Sequence, residues 1–255
     1  MLNNARKHHS VLVQLFDLWL IQLSNWRWSW RSRLIIDTLA PLVSIVGLAV
    51  FARDAGPEAL AYILTGNLVL NLMFGNLDKV GSNFAYMRMV GTLNYFATLP
   101  IRRYVLVLAT VLSFLVMSLP SLMITTLLGT LVLNLKLAPN VLLLLVVPLV
   151  AIPLASLGAL IGVSVSRPEN VGSLSLLLTV VLTATGPVVI PPNRLPNWML
   201  TLGQFSPATY AASGFRQALL GPVTPRIWLD LTVLALVSVI ITWLVVRKMD
   251  WRQSE

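Results

Sequence analysis

The chain has 255 residues, of which 57% are hydrophobic and only 11% are charged, and its mean hydropathy is +0.83. Soluble domains carry about 25% charged residues, so this composition argues against a water-soluble enzyme. Lysine and arginine number 18 against 9 acidic residues. In so apolar a chain, this excess predicts loops beside anionic lipid rather than nucleic-acid binding. The absence of cysteine excludes disulfides, thiolate metal sites and cysteine nucleophiles. We therefore expect an integral membrane protein.

The first predicted element is an amphipathic helix over residues 11–33. Apolar residues from Val11 onward recur at helical spacing, and tryptophans alternate with arginines near the end of the segment. Asp17 and Gln22 interrupt the apolar stretch, which argues against a signal peptide. Indole rings and basic side chains both favour the lipid headgroup layer. We therefore expect an interfacial helix, anchored by Trp26, Trp28 and Trp30.

Long apolar runs predict six membrane-spanning helices. Residues 104–135, 137–166 and 170–193 contain no charged residue or histidine. Each run is long enough for one span, since about 20 apolar residues cross the hydrocarbon core. Three further segments carry almost no charge. The predicted spans are residues 34–53, 59–77, 104–133, 141–165, 171–190 and 228–246. The expected fold class is an all-α membrane protein.

The distribution of lysine and arginine predicts the orientation in the cell membrane. If the amino terminus is cytoplasmic, the inner segments hold most of the basic residues, as the positive-inside rule requires. Both termini are therefore expected to be cytoplasmic. The long connection 78–103 is then an inner, basic loop. A short helix over residues 88–98 should end at Leu99-Pro100, because proline disfavours helix at the residue before it.

The other long connection, residues 191–227, is expected on the outer side. It is rich in proline, yet it also contains many large apolar side chains, so it is too apolar for a free loop. Its best helix covers residues 205–220, with Ser206 as the N-cap, Pro207 at the first helical position and Gly221 as the stop. We predict re-entrant half-helices here, between the fifth and sixth spans.

Ionisable residues within the predicted membrane region are few. Asp37 lies four residues after Arg33, and Asp230 lies four residues after Arg226, so each acid is predicted to form an interfacial ion pair. Arg216 lies in an apolar stretch and should either reach lipid phosphates or pair with an acid such as Asp230. None of the lysines follows a glycine, so the chain lacks a phosphate-binding loop. We expect no ATP hydrolysis by this chain alone.

Small residues recur at four-residue spacing in the fourth predicted span, as Ala151-x-x-x-Ala155 and Gly158-x-x-x-Gly162. Such spacing lets two helices approach closely. The pattern leaves packing within one subunit and a seam between two subunits equally open.

Two segments carry a resemblance to a known family. The inner loop reads Gly91-Thr92-Leu93-Asn94-Tyr95-Phe96-Ala97-Thr98-Leu99-Pro100-Ile101-Arg102-Arg103, and the outer segment reads Phe205-Ser206-Pro207-Ala208-Thr209-Tyr210 followed by Arg216-Gln217-Ala218-Leu219-Leu220-Gly221. These resemble the Gly-Thr-Leu…Thr-Pro…Arg and Pro-x-x-Tyr…Arg…Leu-Gly patterns of ABC-2 type permeases. The predicted topology fits that family over nearly the whole chain. One departure is Met89, which stands beside Arg88 where the family commonly has an acid.

The resemblance implies a non-catalytic permease subunit that binds no cofactor or metal of its own, with ATP and Mg on a separate ABC ATPase subunit. Two copies, expected to be a homodimer, would enclose a pathway among membrane lipids. The ATPase would act through residues 87–103 and the 166–170 turn, where Tyr95, Phe96 and Leu99 should be exposed until a partner buries them. The implied coupling residues are Arg88, Gly91, Tyr95, Phe96, Leu99, Pro100, Arg102, Arg103, Arg167 and Glu169, and the implied outer gate is Pro207, Tyr210 and Arg216.

Three functions stay open at this point. The closing stretch is similar to drug and lipid exporters of the daunorubicin-resistance type, which implies export of an amphipathic or hydrophobic solute. The same architecture could export a lipid-linked polysaccharide. An ATP-independent secondary carrier is the third alternative, and a buried pathway of acidic residues would favour it; the predicted spans offer almost none.

Overall fold

The structure, a computed structural model, describes residues 10–25, 30–51, 56–99, 101–165 and 167–249. Trp26, Trp28 and Pro100 lie outside the described residues. Within them the α-helices are α1 (Val11–Asn25), α2 (Trp30–Phe51), α3 (Gly56–Leu72), α4 (Lys79–Met89), α5 (Thr92–Thr98), α6 (Arg103–Leu133), α7 (Leu143–Ser164), α8 (Glu169–Ala184), α9 (Asn197–Gly203), α10 (Pro207–Leu219) and α11 (Arg226–Lys248).

Five of the described helical stretches are long and apolar enough, by length and composition, to cross a membrane. They correspond to the first, second, third, fourth and sixth predicted spans. The fifth, predicted over residues 171–190, coincides with α8, which has 16 residues and is apolar but shorter. The expectation of an all-α membrane protein is confirmed, while the boundaries of the spans in the bilayer stay predictions.

The amino-terminal segment predicted as one helix over residues 11–33 is described in two helical parts, α1 (Val11–Asn25) and the start of α2 at Trp30. Residues 26–29 lie outside the described part of the chain. α1 packs along α6: Leu18 is buried against this helix, and Gln22 Nε2 donates to Thr110 Oγ1 at 3.3 Å. α1 is therefore held by the bundle itself, in addition to any contact with lipid headgroups.

The second predicted span continues well beyond its expected end at Leu77. A π-helical segment, Met73–Asp78, joins α3 to α4, so that helical structure runs over Gly56–Met89. The sequence prediction stopped here because Asp78 and Lys79 introduce charge. Lys79 instead forms an ion pair with Asp37 of α2, and a paired charge is far less costly at depth than a free one. Asp37 is thus paired with a cation that the sequence did not suggest. The side chain of Arg33, its predicted partner, lies outside the described part of the chain.

The core of the bundle is built around α7, which packs against α4, α6, α10 and α11. Gly158 and Gly162 face the backbone of the neighbouring helix: a Cβ on Gly158 would lie 2.1 Å from the Leu77 carbonyl oxygen, and one on Gly162 would lie 2.3 Å from that of Gly81. The small-residue pattern thus packs two helices of one subunit together, which decides between the two alternatives that the sequence left open.

Helix ends gather at two opposite ends of the bundle, which we call the Arg88 end and the Arg216 end. At the Arg88 end, α4, α7 and α11 terminate, while α6 and α8 begin. At the Arg216 end, α2, α6 and α8 terminate and α10 lies beside the loop after α6. There Ala138 and Asn140 donate backbone N–H groups to the carbonyls of Leu219 and Ala218 at 2.8 and 2.9 Å.

Candidate functional site

A sharp turn at Gly91 separates α4 from α5 at the Arg88 end. Gly91 has φ of +79°, in the left-handed region, and occupies the N-cap position of α5. Glycine adopts this conformation without the strain that a Cβ would introduce. The predicted continuous helix over residues 88–98 is therefore wrong at its start, because the chain turns at Val90–Gly91. Its end at Thr98 is as predicted.

Arg88 ties α4 to the end of α7. Its Nη1 donates to the carbonyl oxygens of Val163 and Val165 at 3.1 and 3.3 Å. Carbonyls in the last turn of a helix lack intrahelical donors, so a guanidinium satisfies them well. Arg167 and Glu169, the other predicted coupling residues in this region, follow immediately in the chain and are exposed at the start of α8.

α5 places its apolar side chains on two different sides. Leu93 and Phe96 are buried in the same cluster as Phe84 and Leu106, and Phe96 is only 7% exposed. The expectation that the Phe96 ring is exposed is therefore wrong. Tyr95 is 62% exposed and Leu99 is also exposed, as predicted. The one-residue offset between Tyr95 and Phe96 rotates the two rings by about 100° on a helix, which accounts for the difference.

The entry into α6 carries two basic residues. Arg102 donates to the Tyr104 hydroxyl at 2.9 Å, and Arg103 donates to the Met249 carbonyl, just beyond α11, at 2.9 Å. Both side chains are exposed. The structure thus brings the described members of the predicted coupling set to one end of the bundle, where basic groups surround exposed apolar side chains.

The Arg216 end is organised by α10. Ser206 is at the N-cap position and Pro207 at the first helical position, as predicted. However, the Ser206 hydroxyl donates to the Leu182 carbonyl of α8 at 2.8 Å rather than capping its own helix. The Tyr210 hydroxyl donates to the Gln204 carbonyl at 2.7 Å. These bonds tie α10 to α8 and to the turn that precedes it.

Arg216 points from α10 towards α3. Its guanidinium lies 3.6 Å from the centre of the Tyr62 ring, and its Nη1 donates to Thr65 Oγ1 at 3.2 Å. A guanidinium stacked this closely on a shielded ring gains about 2 kcal/mol or more. Of the two sequence-based alternatives, pairing with Asp230 is wrong, because no carboxylate in the described part of the chain forms a salt bridge with Arg216.

Asp230 joins α10 to α11 through a separate network. The carboxylate is fully buried and accepts a hydrogen bond from Gln217 Nε2 at 3.0 Å. Gln217 Oε1 in turn accepts from the backbone N–H and the hydroxyl of Thr224 at 2.9 and 2.7 Å. Arg226 Nε lies 3.9 Å from Asp230 Oδ1, so the predicted pairing of these two residues is confirmed.

A cavity of about 360 Å³ opens between α3, α9 and α10. Its wall includes the stacked pair Tyr62–Arg216, together with Tyr210 and Arg226, so two of the three predicted gate residues line it. The complete lining is Tyr62, Pro187, Pro192, Leu200, Gly203, Gln204, Thr209, Tyr210, Ser213, Arg216, Gln217, Thr224 and Arg226. We call this space the Arg216 cavity. The sequence did not predict the contacts of Tyr62 and Thr65 with Arg216, because nothing distinguishes these two residues from the rest of an apolar span.

Between the two ends, a line of polar side chains crosses the interior, and sequence reasoning missed it as well. Asn71 Nδ2 donates to the Asp37 carbonyl at 3.0 Å and to Thr125 Oγ1 at 3.1 Å, and its Oδ1 accepts from Ser121 at 3.1 Å. Asn76 Nδ2 donates to Ser118 Oγ at 3.4 Å. The signal that could have revealed this line is the recurrence of asparagine at positions 67, 71 and 76 within one apolar span.

Comparison with models of known families gives a match over most of the chain. Residues 17–220 match the family model of ABC-2 type transporters, a range that includes both ends of the bundle and most of the described helices. No curated protein matches the chain significantly. Since the family model covers well over half of the chain, the protein belongs to the ABC-2 type transporter family and is a membrane-spanning permease subunit of an ABC transporter, a family whose members pair with an ABC ATPase subunit.

Proposed function

We propose that this chain forms the translocation pathway of an ATP-driven exporter for an amphipathic or hydrophobic, drug- or lipid-like solute. Two copies of the chain enclose the pathway in the cell membrane, and an ABC ATPase docks at the Arg88 end, which faces the cytoplasm. The chain contributes the route and the mechanical coupling, and the ATPase supplies hydrolysis. Membership of the family and one feature of the Arg88 end support this function.

That feature is a patch of exposed apolar side chains among basic groups. The exposed side chains are Tyr95 on α5, Leu99 just after it, and Tyr86, Met89 and Val90 around the end of α4. Arg102 and Arg103 lie just beyond α5. Apolar side chains in an aqueous loop are a liability unless a partner covers them, and a helix that inserts such anchors into a groove is a common mode of recognition. The surrounding arginines favour an acidic partner surface.

The internal contacts of the same region support mechanical coupling. α5 is held to the bundle by Leu93 and Phe96, which pack in one cluster with residues of α4, α6 and α7. Arg88 fastens α4 to the end of α7. A partner that moves α5 therefore displaces α4 and the α7–α8 turn with it, because well-packed interfaces shift as units rather than deform continuously.

The helical stretch Gly56–Met89 supplies a route from one end to the other. It includes Arg88 at one end and Tyr62, the ring under Arg216, near the other end. The π-helical segment lies between them, and such segments are local irregularities that often occur at functional positions. A displacement of α4 is thus proposed to reach the Arg216 cavity through this stretch.

Substitution of Tyr95 by serine tests the docking surface. Tyr95 is exposed and makes little contribution to the core, so Tyr95→Ser should leave thermal stability unchanged. We expect it to weaken association with the ATPase roughly tenfold, the cost of truncating a central aromatic anchor. The measurement is the amount of ATPase that co-purifies with the chain from a co-expressing strain, together with the ATPase activity of the complex.

Phe205→Ser is the matched control, because Phe205 is an exposed aromatic residue at the Arg216 end. It should leave ATPase association unchanged. Phe96→Ser should instead lower thermal stability, since its ring is buried. Equal recovery of ATPase by wild type and Tyr95→Ser would overturn the docking surface. Transport by the chain in liposomes without any ATPase would favour the secondary-carrier alternative and overturn the exporter proposal itself.

A further inference from the structure

The charge of the Arg216 cavity is unusual for an interior surface. The two ionisable cations of its wall are Arg216 and Arg226, and no carboxylate is among its lining residues. Arg226 lies 3.9 Å from Asp230, which is buried behind the wall. No described carboxylate forms a salt bridge with Arg216. The side chains that line the cavity therefore carry positive charge and no negative charge.

The way Arg216 is held leaves its hydrogen-bonding edge available. Tyr62 covers one face of the guanidinium at 3.6 Å, and a single described acceptor, Thr65 Oγ1, receives a hydrogen bond from Nη1. A guanidinium has five N–H donors in one plane. Stacking of the Tyr62 ring on the face of the guanidinium orients these N–H donors and leaves them free to form hydrogen bonds. Two parallel N–H groups of a guanidinium match the paired oxygens of a carboxylate or a phosphate.

Further polar groups line the same space. Thr209 belongs to the wall, but its hydroxyl is buried against Gly186 and is not available to a ligand. The Tyr210 hydroxyl and the Gln217 amide already donate, to the Gln204 carbonyl and to Asp230. An anion in the cavity would thus meet the edge of Arg216, with Arg226 in the same wall, without displacing the bonds that hold α10.

We propose that the Arg216 cavity binds the anionic phosphate or carboxylate group of its ligand through the stacked guanidinium of Arg216. The group can belong to an amphipathic molecule or to a free anion, and the chemistry of recognition is the same. In identifying the ligand with the exported solute, the proposal rests on the proposed export function. The binding itself does not depend on it.

The test is calorimetric titration of the full-length chain in dodecyl maltoside, a detergent without phosphate or charge. The probes are hexyl phosphate, sodium phosphate and hexanol. We expect hexyl phosphate to bind and hexanol to give no binding. Arg216→Gln should weaken the binding of hexyl phosphate about ten- to hundred-fold, the usual effect of losing a charge-assisted hydrogen-bonded pair. Arg216→Lys should recover only part of that loss, because lysine cannot form the planar fork.

Arg194→Gln is the matched control. Arg194 is an exposed arginine in the same 191–227 segment, and it is not among the lining residues of the cavity, so this variant should bind as wild type does. Sodium phosphate that binds as tightly as hexyl phosphate would identify a free anion as the ligand. Tighter binding of hexyl phosphate would identify an amphipathic one. No binding of either anion by wild type, or equal binding by Arg216→Gln and wild type, would overturn the proposal.

A second measurement covers the case in which Arg216→Gln does not fold. The chain has no native cysteine, so Gln204→Cys places a single thiol in the wall of the cavity with Arg216 intact. Hexyl phosphate should slow the reaction of this thiol with a methanethiosulfonate reagent, whereas hexanol should not. A single cysteine at Arg194 should react at an unchanged rate. Equal rates at Gln204→Cys with and without hexyl phosphate would overturn the proposal.

The two proposals fail separately. Anion binding is measured on the chain alone, without ATPase or nucleotide, so its failure leaves the docking surface at the Arg88 end untouched. Conversely, Tyr95→Ser should bind hexyl phosphate as wild type does, whatever it does to ATPase association.

Discussion

At the scale of single residues, close packing of backbones decides where side chains are tolerated. Gly158 of α7 has no room for a Cβ, since that atom would lie 2.1 Å from the Leu77 carbonyl oxygen. Gly158→Ala should therefore separate α7 from the π-helical segment. We expect the free energy of unfolding to fall by about 1–3 kcal/mol, the usual cost of overpacking a core. Thermal unfolding in detergent measures this change.

Gly47→Ala is the comparison for that prediction. Gly47 is also a helical glycine, on α2, and a Cβ there would meet nothing within 4 Å. Alanine favours the helix more than glycine does, so Gly47→Ala should be neutral or slightly stabilising. If Gly158→Ala unfolds at the same temperature as wild type, α7 does not pack against Leu77 as closely as the structure has it.

The ion pair of Lys79 with Asp37 shows a second effect at this scale. Both side chains are largely buried, and each would be costly at membrane depth without the other. The ion pair lies next to the line of hydrogen-bonded asparagine and serine side chains between α3 and α6, because Asn71 of that line also bonds to the Asp37 carbonyl. Sequence alone pairs Asp37 with the nearest cation along the helix. It cannot find a cation 42 residues away, because that proximity comes from tertiary packing.

At the scale of elements, α5 depends on the turn that precedes it. Gly91 adopts φ of +79°, and a Cβ added to it would meet nothing within 4 Å, so substitution there strains the backbone without a steric clash. Gly91→Ala should lower the free energy of unfolding by about 1 kcal/mol and change the angle between α4 and α5. We expect reduced ATPase-coupled transport with a small decrease in thermal stability.

Gly91→Asn separates backbone conformation from side-chain bulk. Asparagine is larger than alanine but tolerates the left-handed region better. It should therefore retain more transport than Gly91→Ala does. If the asparagine variant is the more impaired of the two, the size of the side chain at this position matters and the left-handed turn does not.

The elements also show which features the sequence could reveal. Long uncharged runs predicted α6 and α7, and an apolar run with a single acid predicted α11, because apolar length is a local property. The start of α10 could be predicted from Ser206 and Pro207, because the residue preferences at the start of a helix are also local. The sequence did not predict the π-helical segment or the continuation into α4. Both depend on tertiary contacts, namely the ion pair of Lys79 with Asp37 and the close packing of Gly81 against α7.

At the scale of the whole molecule, the two candidate sites lie at opposite ends of one bundle. The predicted coupling residues from Arg88 to Arg103 could be grouped from the sequence, because they are close together in the chain and carry family motifs. Arg167 and Glu169 join them only in the folded bundle. The Arg216 cavity was only partly predictable. Tyr210 and Arg216 share a segment, whereas Tyr62 lies 154 positions before Arg216 and is brought beneath it only by the packing of α3 on α10.

This arrangement makes a direct prediction about topology. Asn94 in α5 and Asn193 near the Arg216 cavity are both exposed, and they lie at opposite ends of the bundle. Since the chain has no native cysteine, Asn94→Cys and Asn193→Cys each introduce a single thiol. The excess of basic residues around the Arg88 end predicts that this end is cytoplasmic. An impermeant maleimide added to intact cells should therefore label Asn193→Cys and not Asn94→Cys. Inverted vesicles should give the reverse pattern.

Lys136→Cys is the control for that experiment, because Lys136 is exposed in the loop after α6 at the Arg216 end and should behave as Asn193→Cys does. The reverse assignment, with Asn94→Cys labelled in intact cells, would leave the bundle intact but place the ATPase-docking surface on the wrong side of the membrane. Labelling of both thiols from one side would mean that the two ends do not face opposite compartments. The proposed docking of a cytoplasmic ATPase on α5 therefore requires that the Arg88 end face the cytoplasm.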